Sequence, residues 1–133
     1  MILGIGVDIV LLPRIAALVK RRSGEKLARR ILSPPEFKDW KRFQGIDDQH
    51  RVRFLAVRWA VKEAAYKALY PTVKPTWKEL CYQGLNEARE KPSLLYQPHS
   101  SLSSKEITRL HVSVSHDGDY TTAFVVIEGN FPT

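Results

Sequence analysis

The chain has 133 residues, a length that fits one domain with a modest core, since a chain of this size buries roughly two-thirds of its unfolded surface. Its 44% hydrophobic and 26% charged residues are ordinary for a globular protein. No apolar run approaches the roughly 20 residues needed to span a bilayer, and the single cysteine, Cys81, excludes an intrachain disulfide. The net charge of +7 favours a polyanionic partner: nucleic acid, an anionic membrane, an acidic protein or a polyphosphate ligand.

The amino-terminal residues 2–10 predict a β-strand with two unlike faces. One face is apolar and the other carries two glycines and an aspartate: Leu3, Ile5, Val7 and Ile9 against Gly4, Gly6 and Asp8. A helix should then begin at Pro13 and continue to about Arg22. Gly24 should break it before a short helical segment that ends near Leu32.

Two further helices are predicted in the middle of the chain. Residues 33–36 form a capping box with proline in the first turn, which indicates a helix to about Phe43. A long helix should run from about Asp48 to Tyr70, capped by Asp47 or Asp48 and stopped by Pro71. Its apolar stripe is predicted to contain Phe54, Val57, Val61, Ala64, Ala65 and Ala68, with Lys62, Glu63, Tyr66 and Lys67 on the opposing half.

The carboxy-terminal part indicates mainly strands. A short cap at residues 76–79 precedes predicted strands at 80–86 and 93–97, and a short helix is predicted at 101–109. The clearest β signal is a hairpin, with strands at 110–116 and 120–128 and a turn at Asp117-Gly118. These elements together predict one α+β domain over residues 1–133.

Four residues, at three places in the chain, could take part in catalysis or binding, and each place also has a purely structural explanation. Asp8 lies on a face whose glycines let a ligand or another backbone approach, but it could simply cap a helix or pair with an arginine. Glu63 and Lys67 are i,i+4 neighbours on a helix. They could form an ordinary surface ion pair, or Glu63 could bind a metal ion while Lys67 contacts a phosphate. His116 ends a strand, where it could complete a hairpin network or bind a phosphate.

Taken in order, the motifs around these positions are specific. The chain reads G-I-G-V-D-I at 4–9, R-I-L-S-P-P-E-F at 30–37, R-W-A-V-K-E-A-A-Y-K-A at 58–68 and S-V-S-H-D-G-D-Y-T-T-A at 113–123. This series strongly resembles the holo-[acyl-carrier-protein] synthases, over nearly the whole chain. The resemblance implies the 4′-phosphopantetheinyl transferase fold, with a long central helix packed on a mainly antiparallel sheet, and homotrimers with active sites between subunits.

The resemblance also implies an activity, which is transfer of the phosphopantetheine arm of coenzyme A to a carrier-protein serine, releasing 3′,5′-ADP, in support of fatty acid synthesis. By the resemblance, Asp8 and Glu63 bind Mg²⁺. A metal-bound water or Glu63 could then accept the serine proton, and Glu63, acting directly or through that water, is the favoured choice. Lys67 is the choice to stabilise the leaving phosphate. Contacts with coenzyme A are expected from Arg58, Lys62, Lys67 and His116. The acidic carrier protein is expected to meet Arg14 and the neighbouring Leu18, Arg21, Lys26 and Arg30.

Residues 70–77 depart from the glycine-rich loop that is usual in bacterial members, and the usual Gly-Lys-Pro reads Glu90-Lys91-Pro92 here. These departures look more like the fungal mitochondrial branch, which would place the protein in the mitochondrial matrix, and otherwise in the cytoplasm. Neither a nucleic-acid nor a membrane partner is expected. Two alternatives stay open. A basic nucleic-acid-binding domain would explain the charge, although no nucleic-acid-binding motif is present, and a noncatalytic adaptor derived from the enzyme would keep the motifs.

Overall fold

The computed structural model describes residues 1–43, 48–84, 90–99 and 106–130. Within these residues the chain forms, in order, β1 (Ile2–Leu11), α1 (Leu12–Arg22), α2 (Gly24–Ile31), α3 (Pro34–Lys41), α4 (Asp48–Leu69), a 3₁₀ turn (Trp77–Glu79), β2 (Leu80–Gln83), β3 (Ser93–Tyr96), β4 (Ile107–Asp117) and β5 (Tyr120–Gly129). The strands form an antiparallel sheet of order β1-β5-β4 and a separate antiparallel β2-β3 pair. The α+β class and the long helix on an antiparallel sheet are confirmed.

The α4 helix lies directly on the glycine face of β1. A Cβ atom at Gly4 would collide with the carbonyl oxygen of Ala68, and one at Gly6 with that of Ala64. Small residues are therefore required on both sides of this contact, because the two backbones approach too closely for side chains. Of the two explanations for these glycines, close approach by another backbone is the one the structure supports.

The other face of the same sheet is apolar and exposed. Ile5, Val7 and Ile9 of β1 are 60%, 45% and 62% exposed to solvent, and Phe124 of β5 is 51% exposed. Val7 lies directly opposite Phe124 in the strand pairing. Few monomeric proteins leave such a contiguous apolar patch in water, so this outer sheet face has the character of an interface.

The predicted apolar stripe of α4 is too narrow. Val61 and the three predicted alanines are buried, and Phe54 and Val57 are half-buried. Leu55, Ala56, Ala60 and Lys62 are buried as well. The reason is that α4 packs against the sheet and also against α1, α2 and β2. Lys62, predicted on the half opposite the apolar stripe, is buried because it pairs with Glu36 of α3.

The helix boundaries agree closely with the sequence. The break between α1 and α2 is made by Ser23, whose φ of 57° precedes Gly24 at the start of α2. Ser33 and Glu36 form the expected capping box at α3, which ends at Lys41. The α4 helix begins at Asp48 and ends at Leu69, and the alternative cap Asp47 lies outside the described residues.

The carboxy-terminal strands need two corrections. The helix predicted at 101–109 is wrong at 107–109, because Ile107 already pairs with Gly129 and Arg109 with Glu128 as β4 begins, while residues 101–105 lie outside the described part. The hairpin turn is Gly118-Asp119, one residue later than predicted, with Gly118 at a φ of 56°. The strand predicted at 80–86 ends at Gln83, and residues 85 and 86 are not among those described.

Candidate active site

Three predicted site residues meet where β1 crosses α4. The ammonium of Lys67 donates to the carbonyl oxygen of Val7 at 2.9 Å and lies 3.5 Å from the Asp8 carboxylate. The carboxylates of Asp8 and Glu63 lie close enough for their charges to interact. Because Gly6 brings the α4 backbone against β1, Asp8 two residues later lies beside the helix that carries Glu63 and Lys67.

Both carboxyl groups are partly withdrawn from water. Desolvation by burial raises the pKa of Asp8, and the positive charge of Lys67 only partly opposes it. Desolvation also raises the pKa of Glu63, and repulsion by the Asp8 charge raises it further. The positive charges of Lys67 and Arg14 do not outweigh these effects, so the pair favours an additional cation.

Arg14 and Thr122 also belong to this neighbourhood, which the sequence did not reveal. The positive charge of Arg14, near the start of α1, lowers the pKa of both Asp8 and Glu63, although other effects outweigh it. The hydroxyl of Thr122 in β5 donates to the Asp8 carbonyl oxygen at 3.0 Å. Arg14 was predicted for carrier recognition only. The register of β1 with β5, which brings Thr122 to Asp8, is a long-range feature that no local pattern encodes.

Lys62 does not contribute to this cluster. Its side chain is 1% exposed, and its ammonium donates to Glu36 at 2.6 Å, to the Ile31 carbonyl at 2.7 Å and to the Trp77 carbonyl at 2.8 Å. An ammonium has three donors, and all three are occupied. Lys62 thus has three internal partners, and its contact with coenzyme A stays a prediction.

Arg58 lies one helical turn before Lys62 and faces aromatic rings rather than the two carboxylates. Its guanidinium carbon is 3.6 Å from the centre of the Phe54 ring and 5.1 Å from that of Tyr82. Desolvation by burial lowers the pKa of Arg58. Its Nε is buried and has no hydrogen-bond partner among the described residues. Stacked between rings, the guanidinium is held in place with part of its donor capacity unused.

His116 lies across the sheet from Asp8. It pairs with Thr121 of β5, which in turn pairs with Val10 of β1, and its Nδ1 is 3.4 Å from the Thr121 hydroxyl. Two strand spacings, about 10 Å, separate its backbone from β1. Within one chain, His116 is therefore held apart from the Asp8, Glu63 and Lys67 cluster.

The predicted carrier-binding residues form a basic surface on α1 and α2. Arg21, Lys26 and Arg30 are exposed and line one shallow cleft together with Ser23 and Leu27. Leu18 is half-buried and packs against the hydrophobic core. Arg14 and Arg21 of α1 are thus exposed, while Leu18 between them is shared with the interior.

A cavity of about 340 Å³ opens beside Glu63. Tyr66 of α4, Pro75, Thr76 and Trp77 contribute to its wall, together with Leu80. Pro75, Thr76 and Trp77 follow α4 and lie in the segment that was expected to differ from the usual glycine-rich loop. The sequence signal was present in Trp77 and Pro75, but only the fold places them next to a carboxylate.

The donor set at the cluster fits Mg²⁺, which takes oxygen ligands and usually binds through one or two carboxylates plus phosphate oxygens and water. Asp8 and Glu63 supply two carboxylates on rigid elements, and burial, which desolvates both groups, raises the pKa of each. Over the described ranges, no group of three or more histidine, cysteine, aspartate or glutamate residues comes together. None of the described helices is both long enough and apolar enough to cross a membrane.

Comparison with curated proteins places this arrangement among known enzymes. The chain is 43% identical over 129 residues to the holo-[acyl-carrier-protein] synthase of Yersinia enterocolitica, covering 96% of this chain and 98% of that protein. This relative is bacterial, as are the structural relatives described next, so the comparisons do not support the fungal mitochondrial branch. The departures at residues 70–77 are compatible with a bacterial relative.

Two solved structures have the same fold. The holo-[acyl-carrier-protein] synthase of Neisseria meningitidis superposes with a TM-score of 0.78 at 35% identity, covering 96% of this chain and 99% of that one. The enzyme of Bacillus anthracis, in complex with CoA (3′,5′-ADP), superposes with a TM-score of 0.74 at 30% identity, covering 98% of this chain and 99% of that one. A profile of the 4′-phosphopantetheinyl transferase superfamily matches residues 4–125. The chain belongs to this superfamily, and within it to the holo-[acyl-carrier-protein] synthases.

Proposed function

We propose that this protein transfers the 4′-phosphopantetheine group of coenzyme A to a serine of apo acyl carrier protein, yielding holo carrier protein and 3′,5′-ADP, in support of fatty acid synthesis. The observation that carries the proposal is the meeting of Asp8, Glu63 and Lys67 at the crossing of β1 and α4 in a chain of this family. The whole chain, residues 1–133, would act as one transferase domain. The bacterial relatives favour the cytoplasmic alternative for its location.

Asp8 and Glu63 would hold Mg²⁺. When bound there, the ion would neutralise the diphosphate of coenzyme A and polarise the phosphorus that is attacked. The two carboxylates come from different elements, a strand and a helix that are packed backbone to backbone, so their separation is fixed before substrate binds. Such preorganisation matters because phosphoryl transfer depends mostly on positioning and charge stabilisation.

Glu63 and Lys67 would handle the proton and the leaving group. In the metal-free protein, desolvation and the neighbouring Asp8 charge raise the pKa of Glu63. Glu63 would take the proton of the carrier serine, directly or through a water molecule. The Lys67 side chain is 54% exposed, so its ammonium can move from Asp8 to the leaving phosphate.

The active form would be a homotrimer with sites between subunits. The exposed apolar outer sheet face, centred on Val7 and Phe124, supports assembly. Assembly also accounts for two predicted contacts that one chain does not bring to the cluster, Arg58 and His116. A neighbouring copy would supply them to coenzyme A.

The acidic carrier protein would dock on the basic surface of α1 and α2. Arg21, Lys26 and Arg30 line the cleft there, and Arg14 stands between this surface and the carboxylate cluster. Two acidic substrates, the carrier protein and coenzyme A, account for the net charge of +7. Docking at this surface would bring the carrier serine towards Glu63.

The proposal is tested by incubating the protein with apo carrier protein, coenzyme A and Mg²⁺ and weighing the carrier by mass spectrometry. A mass gain equal to one phosphopantetheine group, together with release of 3′,5′-ADP, is expected. An unmodified carrier that nevertheless binds the protein would favour the noncatalytic adaptor. Tight, salt-sensitive binding of nucleic acid with no carrier modification would favour the nucleic-acid-binding alternative.

A further inference from the structure

The buried ion pair between Glu36 and Lys62 connects parts of the fold that are distant in sequence. The two side chains are 2% and 1% exposed, and their charged groups are 2.6 Å apart. Lys62 also holds the carbonyls of Ile31, at the end of α2, and of Trp77, in the 3₁₀ turn. A single ammonium thus ties α4 to three other segments.

Glu36 extends the same connection on its own side. Its Oε1 accepts from the backbone N–H and the hydroxyl of Ser33, which closes the capping box of α3. Its Oε2 accepts from the backbone N–H of Tyr82 in β2, at 2.9 Å. Glu36 therefore caps a helix, fixes a strand and neutralises Lys62 at once, and each of its oxygens has a partner.

The segment held by Lys62 is a wall of the cavity beside Glu63. Residues 73–76 have no regular secondary structure, and Trp77 contributes both to the cavity and to the aromatic contact with Trp59, at 5.3 Å between ring centres. The 2.8 Å hydrogen bond from Lys62 to the Trp77 carbonyl joins this wall to α4 one residue away from Glu63. Lys62 thus ties the cavity wall to α4 beside the carboxylate.

Stability alone does not explain such a pair. Apolar or neutral replacements for both members of a buried ion pair are often as stable as the pair itself, whereas removal of one partner leaves an uncompensated charge. A pair with partners in four segments instead specifies one arrangement of those segments. The arrangement specified here is the shape of the cavity at the proposed reaction site.

We infer that Glu36 and Lys62 are positioning residues of this enzyme, which hold the Trp77 segment against α4 and so fix the cavity wall beside Glu63. The claim that the pair affects catalysis rests on the proposed function. The structural half of the inference, that the Trp77 segment depends on Lys62, can be measured without any transfer activity.

The test compares the wild type with Glu36→Gln, Lys62→Met and the double variant. The double variant removes both charges but keeps an oxygen at position 36 for the Ser33 cap, so it is expected to fold. We expect kcat to fall at least about tenfold, since small displacements of reacting groups are costly, while KM for coenzyme A stays within about threefold. Because both residues act through one pair, the double variant should lose no more than the worse single variant.

Two controls separate this inference from other roles. Lys78→Met removes a neighbouring lysine of the 3₁₀ turn that binds the carbonyls of Arg29 and Leu32, and it should leave kcat unchanged. Hydrogen exchange of the backbone amides of residues 77–80 should accelerate at least about tenfold in Lys62→Met but not in Lys78→Met. This second readout decides the structural half even if the wild type transfers nothing, which would refute the proposed function instead.

Three results would overturn the inference. Wild-type kcat in the folded double variant, with only the melting temperature lowered, would leave the pair a purely structural role. A large rise in KM for coenzyme A in Lys62→Met, with no effect of Glu36→Gln, would make Lys62 a phosphate contact after all. Unchanged exchange at residues 77–80 in Lys62→Met would show that the wall does not depend on it.

Discussion

Asp8 and Glu63 are held in a state that is unfavourable for two isolated carboxylates. Both are partly desolvated, the Asp8 charge raises the pKa of Glu63 further, and the positive charges of Lys67 and Arg14 oppose these shifts without outweighing them. Functional sites commonly keep such local costs because the same charges act on the substrate. At this scale the structure brings together Asp8, Glu63 and Lys67, which the motif assigned to one site, while their roles stay predictions. The burial that shifts their pKa values depends on the packing of α4 on β1 and had no local signal.

Replacement of Glu63 by glutamine should stabilise the metal-free protein near neutral pH. A carboxyl group whose pKa is raised on folding is disfavoured in its charged form, so the charge lowers stability above that pKa and protonation relieves the cost as the pH falls. In the presence of a chelator, Glu63→Gln should therefore melt higher than the wild type at pH 7.5. The difference should shrink as the pH falls through the raised pKa, which lies above the ordinary 4.5.

Thermal melts over a pH series measure this effect. Glu25→Gln, at an exposed carboxylate paired with Arg29 on α2, is the matched control and should change the melting temperature little. A Glu63→Gln variant that melts below the wild type at pH 7.5 without metal would mean that the Glu63 charge is well compensated in the folded protein.

At the scale of elements, α4 organises the molecule. Its alanines lie against the glycines of β1, its charged residues at 63 and 67 reach Asp8, and its other side carries the buried Lys62. The first of these contacts determines the location of the proposed reaction site. Because the two backbones are in contact, the strand that carries Asp8 is held at a fixed distance from the helix that carries Glu63.

Gly6→Ala should destabilise the protein by about 1–3 kcal/mol, the usual cost of extra atoms in a closely packed contact. The new Cβ would collide with the Ala64 carbonyl, which belongs to the helix backbone and can move only if α4 shifts. Chemical denaturation followed by circular dichroism gives the change in the free energy of unfolding. The matched substitution Gly84→Ala, where the nearest atom to a new Cβ is a Tyr82 ring carbon 3.7 Å away, should cost little. Equal stability of Gly6→Ala and the wild type would contradict the close contact.

Local signals predicted most boundaries, and the errors have one cause. The capping boxes at Ser33 and Thr76 and the stop at Pro71 depend on neighbouring residues, and the elements there begin or end within about two residues of the prediction. Lys62 was misplaced because its partner Glu36 is 26 residues away in the chain. The helix expected at 107–109 is strand because β5 pairs with it. Partners that are remote in sequence decide such positions.

At the scale of the whole molecule, two surfaces have unlike character. The outer sheet face is apolar, with Ile5, Val7, Ile9 and Phe124 all at least 45% exposed, whereas α1 and α2 present a basic surface. The first suits copies of the same chain, since apolar faces of this kind are normally covered. The second suits an acidic partner that binds and leaves, because rim charges act mainly on association.

Phe124→Glu should dissociate the proposed trimer. A charge at the centre of the apolar face would be buried without a partner on assembly, whereas in the separate chain it is exposed to water. Light scattering should change from about three times the 15.2 kDa chain mass to one chain mass. Transfer activity should fall with it, since neighbouring copies would supply Arg58 and His116. Gln83→Glu, at an exposed position of β2, is the control with the same change in charge. A fully active monomer would exclude sites shared between subunits.

Charge reversal on α1 and α2 should impair carrier binding specifically. Arg21→Glu with Arg30→Glu leaves Arg14 in place, since the Arg14 charge also reaches Asp8 and Glu63. We expect KM for the carrier protein to rise at least about tenfold and that for coenzyme A to change less than about twofold, with wild-type carrier binding weakened by salt. Lys38→Glu with Lys41→Glu on α3 makes the same change in net charge as a control. A parallel rise of both constants would assign the surface to the coenzyme instead.

The most direct test of the account is whether transfer depends on the two carboxylates at the crossing of β1 and α4. Asp8→Ala and Glu63→Ala should each lower the rate of carrier modification, followed by mass spectrometry, at least about 100-fold, the scale on which loss of one preorganised electrostatic contact acts. Glu25→Ala, an exposed carboxylate on α2, should not. Circular dichroism should remain native for all three. Wild-type rates in a folded Asp8→Ala or Glu63→Ala protein would show that the reaction takes place elsewhere.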